Sequence, residues 1–178
     1  MRFNSHIHHK IQLPTLPWPE ELPFKNSILL SGHLYEVPIN APIAYRKAVE
    51  KIGYFFKREF SFDFPPYTHL RNDKNSVVFL WLEPTTIEII KRSYEVDIAD
   101  KAMVYGACGF YKEFKFTPGR AALGWVWLHP YKRRKGELWK VWPYFKERFG
   151  DFFVDQPNEA MEAFLKEQKS ELSEAADS

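Results

Sequence analysis

The sequence has a single cysteine, little net charge and no long apolar run, and each of these absences excludes a class of protein. With Cys108 alone, the chain can form neither an internal disulfide nor a cysteine-based zinc site. The formal net charge is +2, which argues against a surface that binds nucleic acid as a whole. There is no basic-then-apolar signal pattern and no apolar segment near the roughly 18 residues that span a membrane. We therefore expect a cytoplasmic protein with no membrane association.

The composition predicts one folded domain with a sizeable core. Hydrophobic residues make up 45% and aromatic residues 17% of the 178 residues. Residues 1–26 are rich in proline and show no sustained period, which predicts an extended N-terminal arm laid over the domain. Residues 27–168 form the predicted domain, and the polar residues 169–178 are expected to be a disordered tail.

Three histidines in the predicted arm raise the question of a metal site. His6, His8 and His9 have no cysteine or carboxylate at ligand spacing. We therefore interpret them as surface side chains and predict no metal.

The hydrophobic pattern predicts alternating strands and helices. A helix is expected from Pro42, with an apolar stripe at Tyr45, Val49, Ile52, Phe56 and Phe60. The stretch TTIEIIKRSYEV is compatible with either a helix or a strand, and Gly106 and Gly109 predict a bulge or a close backbone approach in the strand that follows. The second half then has the order strand, turn, strand, basic loop, helix, strand, helix, with Pro143 expected to kink or shorten the first of these helices. This alternation favours a mixed α/β sheet covered by helices.

The basic loop is the feature that points to a ligand. A strand ends at His129, and Lys132, Arg133, Arg134 and Lys135 lead to Gly136 and a helix. The first amides of a helix have no internal partner, and the helix dipole favours negative charge there. The loop therefore predicts a site for a phosphate or pyrophosphate, although a loop that merely keeps a helix end soluble has the same pattern.

The segment WLHPYKRRKGEL resembles the acetyl-CoA-binding segment of the GNAT (Gcn5-related) N-acetyltransferases. In that family a strand ends near Val-His-Pro and is followed by Arg/Gln-x-x-Gly-x-Gly/Ala at the start of a helix. Arg133, Gly136 and Leu138 fall on the three motif positions, and FGDFFVDQPNEAMEAFL is similar to the next strand and helix of the family. The resemblance covers residues 103–168 and implies an α/β fold with a mixed, mostly antiparallel sheet flanked by helices.

The resemblance also implies a set of cofactor-binding residues. Trp127 and Leu128 would present backbone groups to the pantetheine arm, and the amides of Arg133, Arg134, Lys135, Gly136, Glu137 and Leu138 would hold the pyrophosphate. The strands GWVWL and DFFVD would splay apart, with the thioester in the gap. The implied reaction is direct attack of an amine on acetyl-CoA, with no metal.

Several positions depart from the family pattern. Leu138 stands where glycine or alanine is usual, and Glu137 brings a negative charge that must point outward to spare the pyrophosphate. Pro157, Ala160 and Phe164 fall on the positions of the family's Asn-x-x-Ala-x-x-x-Tyr setting, so its tyrosine acid is missing. For the base that accepts the proton of the amine, Glu113 is the first candidate and Asp155 the second.

Three functions remain open from the sequence. The first is an N-acetyltransferase for an unknown amine, and the second is a catalytically degenerate protein of the same fold that acts as an interaction module. The third is nucleic-acid binding, because residues 131–148 hold seven basic and two acidic residues among Trp139, Trp142 and Tyr144. The near-neutral chain and the helical spacing of those aromatics weigh against it. A homodimer is also compatible with the sequence, since the aromatic residues of the N-terminal arm could cover a partner copy instead of their own domain.

Overall fold

The computed structural model describes residues 11–18, 33–70, 73–90, 96–114 and 118–176. Six strands and three helices follow one another as β1 (Thr15–Leu16), β2 (His33–Val37), α1 (Ile43–Phe60), β3 (Ser76–Ile90), β4 (Val96–Tyr111), β5 (Ala122–Leu128), α2 (Glu137–Phe149), β6 (Phe153–Val154) and α3 (Glu159–Ala176). The order predicted for the second half is confirmed. His6, His8, His9 and much of the predicted arm lie outside the described residues.

The strands form one mixed sheet. Its order is β2–β3–β4–β5–β6, and β1 pairs with β4 at Ala102 and Met103. Every neighbouring pair is antiparallel except β5 and β6, which are parallel. The predicted fold class, a mostly antiparallel mixed sheet flanked by helices, is confirmed.

Helix α1 covers one face of this sheet. Its stripe of Tyr45, Val49, Ile52 and Phe56 is buried against apolar side chains of β3, β4 and β5. Near its C-terminal end, Phe55 packs on Trp127 and Phe56 on Trp125, with ring centroids 5.3 and 5.9 Å apart. The end of α1 therefore lies beside β5.

Helices α2 and α3 cover the opposite face. The buried side chains Val141, Trp142 and Phe145 anchor α2 on the sheet. Pro143 was expected to kink or shorten this helix, but α2 continues through it from Glu137 to Phe149. Pro143 is exposed, and the buried Trp142 and Phe145 on either side hold the helix in place despite the missing N–H.

The structure assigns two segments, the ambiguous TTIEII and the predicted polar tail. The ambiguous TTIEII is a strand, because β3 and β4 form a long antiparallel hairpin. Its ladder runs from the pair Ser76 and Tyr111 to the pair Ile90 and Val96. Helix α3 runs to Ala176 through most of the predicted polar tail, whose Glu, Lys, Leu and Ala residues are good helix formers. Among the described residues, the helices are too short or too polar to cross a bilayer.

Candidate functional site

Strand β5 has an open edge on the side that faces β6. The two strands pair only at Ala122 with Phe153 and at Leu123 with Val154, although β5 continues to Leu128. The Asp155 amide donates to the Leu123 carbonyl oxygen at 2.9 Å, and Gln156 with φ 46° then turns the chain away. A gap thus opens between β5 and the segment after β6.

A bulge on β5 lies where this pairing ends. Phe110 pairs with Leu123 and Gly109 with Trp125, so that Gly124 is an extra residue on β5. The Tyr111 ring lies directly over Gly124, because a Cβ atom there would come within 2.4 Å of Tyr111 Cε2. The predicted bulge in β4 is confirmed beside Gly106, where Tyr105 is an extra residue on β4 opposite β3. The bulge at Gly124 of β5 is a second one, and it marks the splay point.

Beyond the bulge, alternate residues of β5 direct their backbone groups into the gap. The His129 amide donates to the Tyr105 carbonyl oxygen of β4 at 2.8 Å. Because backbone groups alternate in direction along a strand, the N–H and C=O groups of residue 127 also point toward β4. Val126 and Leu128 therefore present their backbone groups to the open edge. Trp127, which was expected to do so, instead has a buried side chain whose Nε1 donates to Glu59 at 2.7 Å.

The basic loop ends in a run of unpaired amides. Residues 130–132 form one 3₁₀ turn, and α2 begins after Gly136. The amides of residues 134–139 donate no hydrogen bond to any residue that the structure describes. Arg134 has φ 57° and Gly136 has φ 74°, and a left-handed residue followed by a helical one turns successive N–H groups toward one side. This geometry is suited to binding an anion, and we call residues 134–139 the amide cradle.

Two side chains leave the cradle positively charged. Arg134 and Lys135 are exposed, and within the described ranges neither forms an ion pair. Leu138 packs its side chain into the core, so its amide remains available although the family pattern has a smaller residue there. Charge and unpaired amides therefore point to an anionic ligand.

Glu137 points away from the cradle. Its carboxylate accepts hydrogen bonds from the Tyr105 hydroxyl at 2.9 Å and from Lys140 Nζ at 3.0 Å. Burial, and then the charge of Glu137, raises the pKa of Tyr105 far above its usual range, so that the phenol stays a donor. The carboxylate expected to point outward therefore points inward under the helix, where Lys140 offsets its charge.

The Arg133 side chain is occupied within the protein. Its Nη1 and Nη2 donate to the two carboxylate oxygens of Glu59 at 2.5 and 2.7 Å, and its Nε donates to the Leu128 carbonyl oxygen at 2.8 Å. Lys132 also pairs internally, with Glu83. Of the four cations in the basic loop, only Arg134 and Lys135 are thus positioned for an external anion.

Asp155 lies at the splay point with its carboxylate unpaired in the described part of the chain. Burial raises the pKa of this carboxyl above its usual value. Burial also raises the pKa of Tyr111, and the charges of Asp155 and Asp73 raise it further. Asp155 and Tyr111 are therefore close enough to interact, and a carboxyl of raised pKa beside a gap is suited to accept a proton.

Glu113, the first candidate for the base, lies away from the open edge. Glu113 is exposed near the β4–β5 turn, where its backbone bonds with the Asn75 side chain. This position is about 20 Å along β5 from Leu128, at the end remote from the cradle. His129 is buried and its Nδ1 accepts from the Tyr131 amide at 3.4 Å, while burial raises the pKa of the Cys108 thiol well above its usual value.

Sequence reasoning missed two residues of this site, Glu59 and Tyr111. Glu59 is 74 positions from Arg133, and a single glutamate at the end of an amphipathic helix carries no signal of a distant partner. Tyr111 ends a strand and comes over Gly124 only through the register of β4 and β5.

Comparisons with known proteins assign no family. No family model and no curated protein matches the chain. Among solved structures, the chain is similar to the xEco2 acetyltransferase domain bound to a CoA conjugate, with 10% identity, 78% of this chain and 87% of that chain covered, and a TM-score of 0.45. A second structure of that domain gives 11% identity, coverage of 76% and 84%, and a TM-score of 0.43. These likenesses are too weak to assign a family or an activity, so a function must rest on the site geometry.

Proposed function

We propose that this chain is a CoA-dependent N-acetyltransferase of the GNAT type, which transfers an acetyl group from acetyl-CoA to an amine. The observation that carries the proposal is the amide cradle, whose unpaired N–H groups and two exposed cations lie at the end of an open strand edge. A diphosphate is the anion that fits several adjacent amides at a helix N-terminus.

The geometry accommodates the remainder of the cosubstrate. From Gly124 to Leu128 the open edge spans about 13 Å, and the backbone groups of Val126 face the gap along it. An extended amide-containing arm can pair with such an edge as an added strand does. CoA would supply the activated thioester carbon, and the chain would hold its phosphates at the cradle.

Asp155 has the position of a general base in this proposal. It lies at the splay point, away from the cradle, where an acceptor amine would meet the thioester. Its raised pKa makes its carboxylate a better proton acceptor than an ordinary one. The carboxylate would take a proton from the incoming ammonium, and the neutral amine would then attack the thioester carbon. The amide C–N bond forms as the C–S bond breaks, and CoA leaves as the thiol with the second proton that the nitrogen loses.

One observation favours the alternative of a catalytically degenerate binding protein. Phe164, at the position of the family's tyrosine acid, is packed against Trp142 and Trp139 with ring centroids 4.8 and 5.3 Å apart. Phe164 is therefore a partly buried side chain packed against the core. The same packing, with Trp142 buried, removes these two rings from the base stacking that nucleic-acid binding would require.

Calorimetric titration with CoA tests the proposal. We expect micromolar binding that weakens as salt rises, because the cradle is exposed and charge-assisted. The double variant Arg134→Gln/Lys135→Gln should bind about 10-fold more weakly, since each exposed cation contributes a modest, screened attraction. Pantetheine, which lacks the diphosphate, should bind far more weakly than CoA.

The matched control is Lys47→Gln/Lys166→Gln, which removes two exposed cations from α1 and α3 and should leave CoA affinity unchanged. No binding at millimolar CoA, or equal loss in both double variants, would contradict the cradle. CoA binding without acetyl transfer to any of a panel of amines would favour the degenerate binding protein.

A further inference from the structure

We propose that Glu59 is a positioning residue for the amide cradle, acting through Arg133 at the end of the open strand edge. The inference rests on the proposed function, because the cradle is the site that Glu59 would position. No motif in the sequence marks this residue.

Hydrogen bonds connect the Glu59 carboxylate to the Arg133 guanidinium and the Trp127 ring. Both carboxylate oxygens of Glu59 accept from Arg133, at 2.5 and 2.7 Å, and Oε2 also accepts from Trp127 Nε1 at 2.7 Å. Arg133 Nε also donates to the Leu128 carbonyl oxygen, at 2.8 Å. The side chain of Glu59 is only 14% exposed, so solvent screens the fork-to-fork pair weakly.

This pair joins the two faces of the sheet. Glu59 belongs to α1 on one face, whereas the loop after Arg133 leads into α2 on the other. Arg133 immediately precedes Arg134, whose φ of 57° begins the turn of the cradle. Arg133 has φ −70° and ψ 153°, and its backbone is held because its side chain is fixed at three nitrogen atoms. The geometry of the cradle thus depends on a carboxylate of α1.

The inference and simple electrostatics predict effects of opposite sign. If Glu59 acted only through its charge, replacing it with glutamine would remove a negative charge near a bound diphosphate and tighten CoA binding. If Glu59 positions the cradle, the same replacement weakens CoA binding, because the Arg133 fork loses its match. The sign of the change therefore separates the two.

The experiment is calorimetric titration of the full chain with CoA, at a temperature where circular dichroism shows every variant folded. Glu59→Gln should bind CoA about 10-fold more weakly, within the usual 5- to 150-fold range of coupling between sites. Arg133→Lys keeps the charge but loses the planar fork, and should show a similar loss. The double variant Glu59→Gln/Arg133→Lys should bind CoA no more weakly than the single variant with the lower affinity, because both changes break the same contact.

Glu147→Gln is the control, since it removes an exposed carboxylate from the far end of α2 and should leave the affinity unchanged. Unchanged or tighter CoA binding by Glu59→Gln, or unchanged binding by Arg133→Lys, overturns the inference while the proposed function stands. If Glu59→Gln does not fold, Arg133→Lys alone decides. Absence of CoA binding by the unmodified chain overturns the proposed function and this inference with it.

Discussion

Replacing Asp155 with asparagine should lower the rate of acetyl transfer by about 100-fold or more, because a positioned general base typically contributes 10²–10⁴-fold. Asparagine has nearly the same shape but accepts no proton at this point in the reaction. CoA binding should be unchanged, since Asp155 lies at the splay point and the cradle at the other end of the open edge. Steady-state kinetics with saturating acetyl-CoA, paired with calorimetry, measure both quantities.

The pH profile gives a second test of the same residue. The base works in its ionised form, so the rate should rise with pH as the Asp155 carboxyl loses its proton. Because burial raises the pKa of this group, the midpoint of that rise should lie above the usual aspartate range. The acidic limb should be missing from the residual activity of Asp155→Asn.

Stability provides the control for this variant. A carboxyl with a raised folded-state pKa binds its proton more tightly in the native than in the unfolded chain. Its contribution to stability is therefore present below the unfolded pKa and lost as pH rises through the folded pKa. At neutral pH, Asp155→Asn should unfold no more easily than the unmodified chain. Full activity in a folded Asp155→Asn variant, or a large loss of stability, would remove Asp155 from the mechanism as the base.

Much of the fold could be predicted because its elements are marked locally. The stripe of α1 repeats at helical spacing, and the basic loop between β5 and α2 is continuous in sequence. The strand TTIEII could not be assigned, because its strand character comes from pairing with β4 in a long hairpin. Local pattern thus gave the element order, while pairing partners decided the ambiguous segment.

The site was only partly predictable, for a related reason. The run of backbone amides depends on the loop itself and was predicted at residues 133–138. The structure has it at residues 134–139, because the Arg133 amide donates to the Pro130 carbonyl oxygen at 3.3 Å. The use of each side chain depends on partners far along the chain. Arg133 is taken up by Glu59 and Glu137 by Tyr105, neither of which any local motif indicates. The charge that remains for a ligand therefore comes from Arg134 and Lys135.

The largest expected loss of stability is for Phe145→Ala. This side chain is fully buried at the centre of the cluster between α2 and the sheet. Its ring centroid lies 4.9 Å from that of Phe110 and 5.3 Å from that of Phe79, with Trp81, Trp142 and Tyr144 around it. Removing a buried phenylalanine leaves a cavity and costs about 3–5 kcal/mol, so the unfolding midpoint should fall by roughly 10 °C.

Phe64→Ala is the matched control, because it deletes the same atoms from a side chain that is 81% exposed. An exposed substitution should change the unfolding free energy by no more than about 0.5 kcal/mol. Thermal and denaturant unfolding of both variants measure the difference. Similar losses in the two variants would mean that the aromatic cluster under α2 is not the core that holds this helix. In that case the position of the cradle would depend on the Glu59–Arg133 pair and the loop more than on the packing of α2.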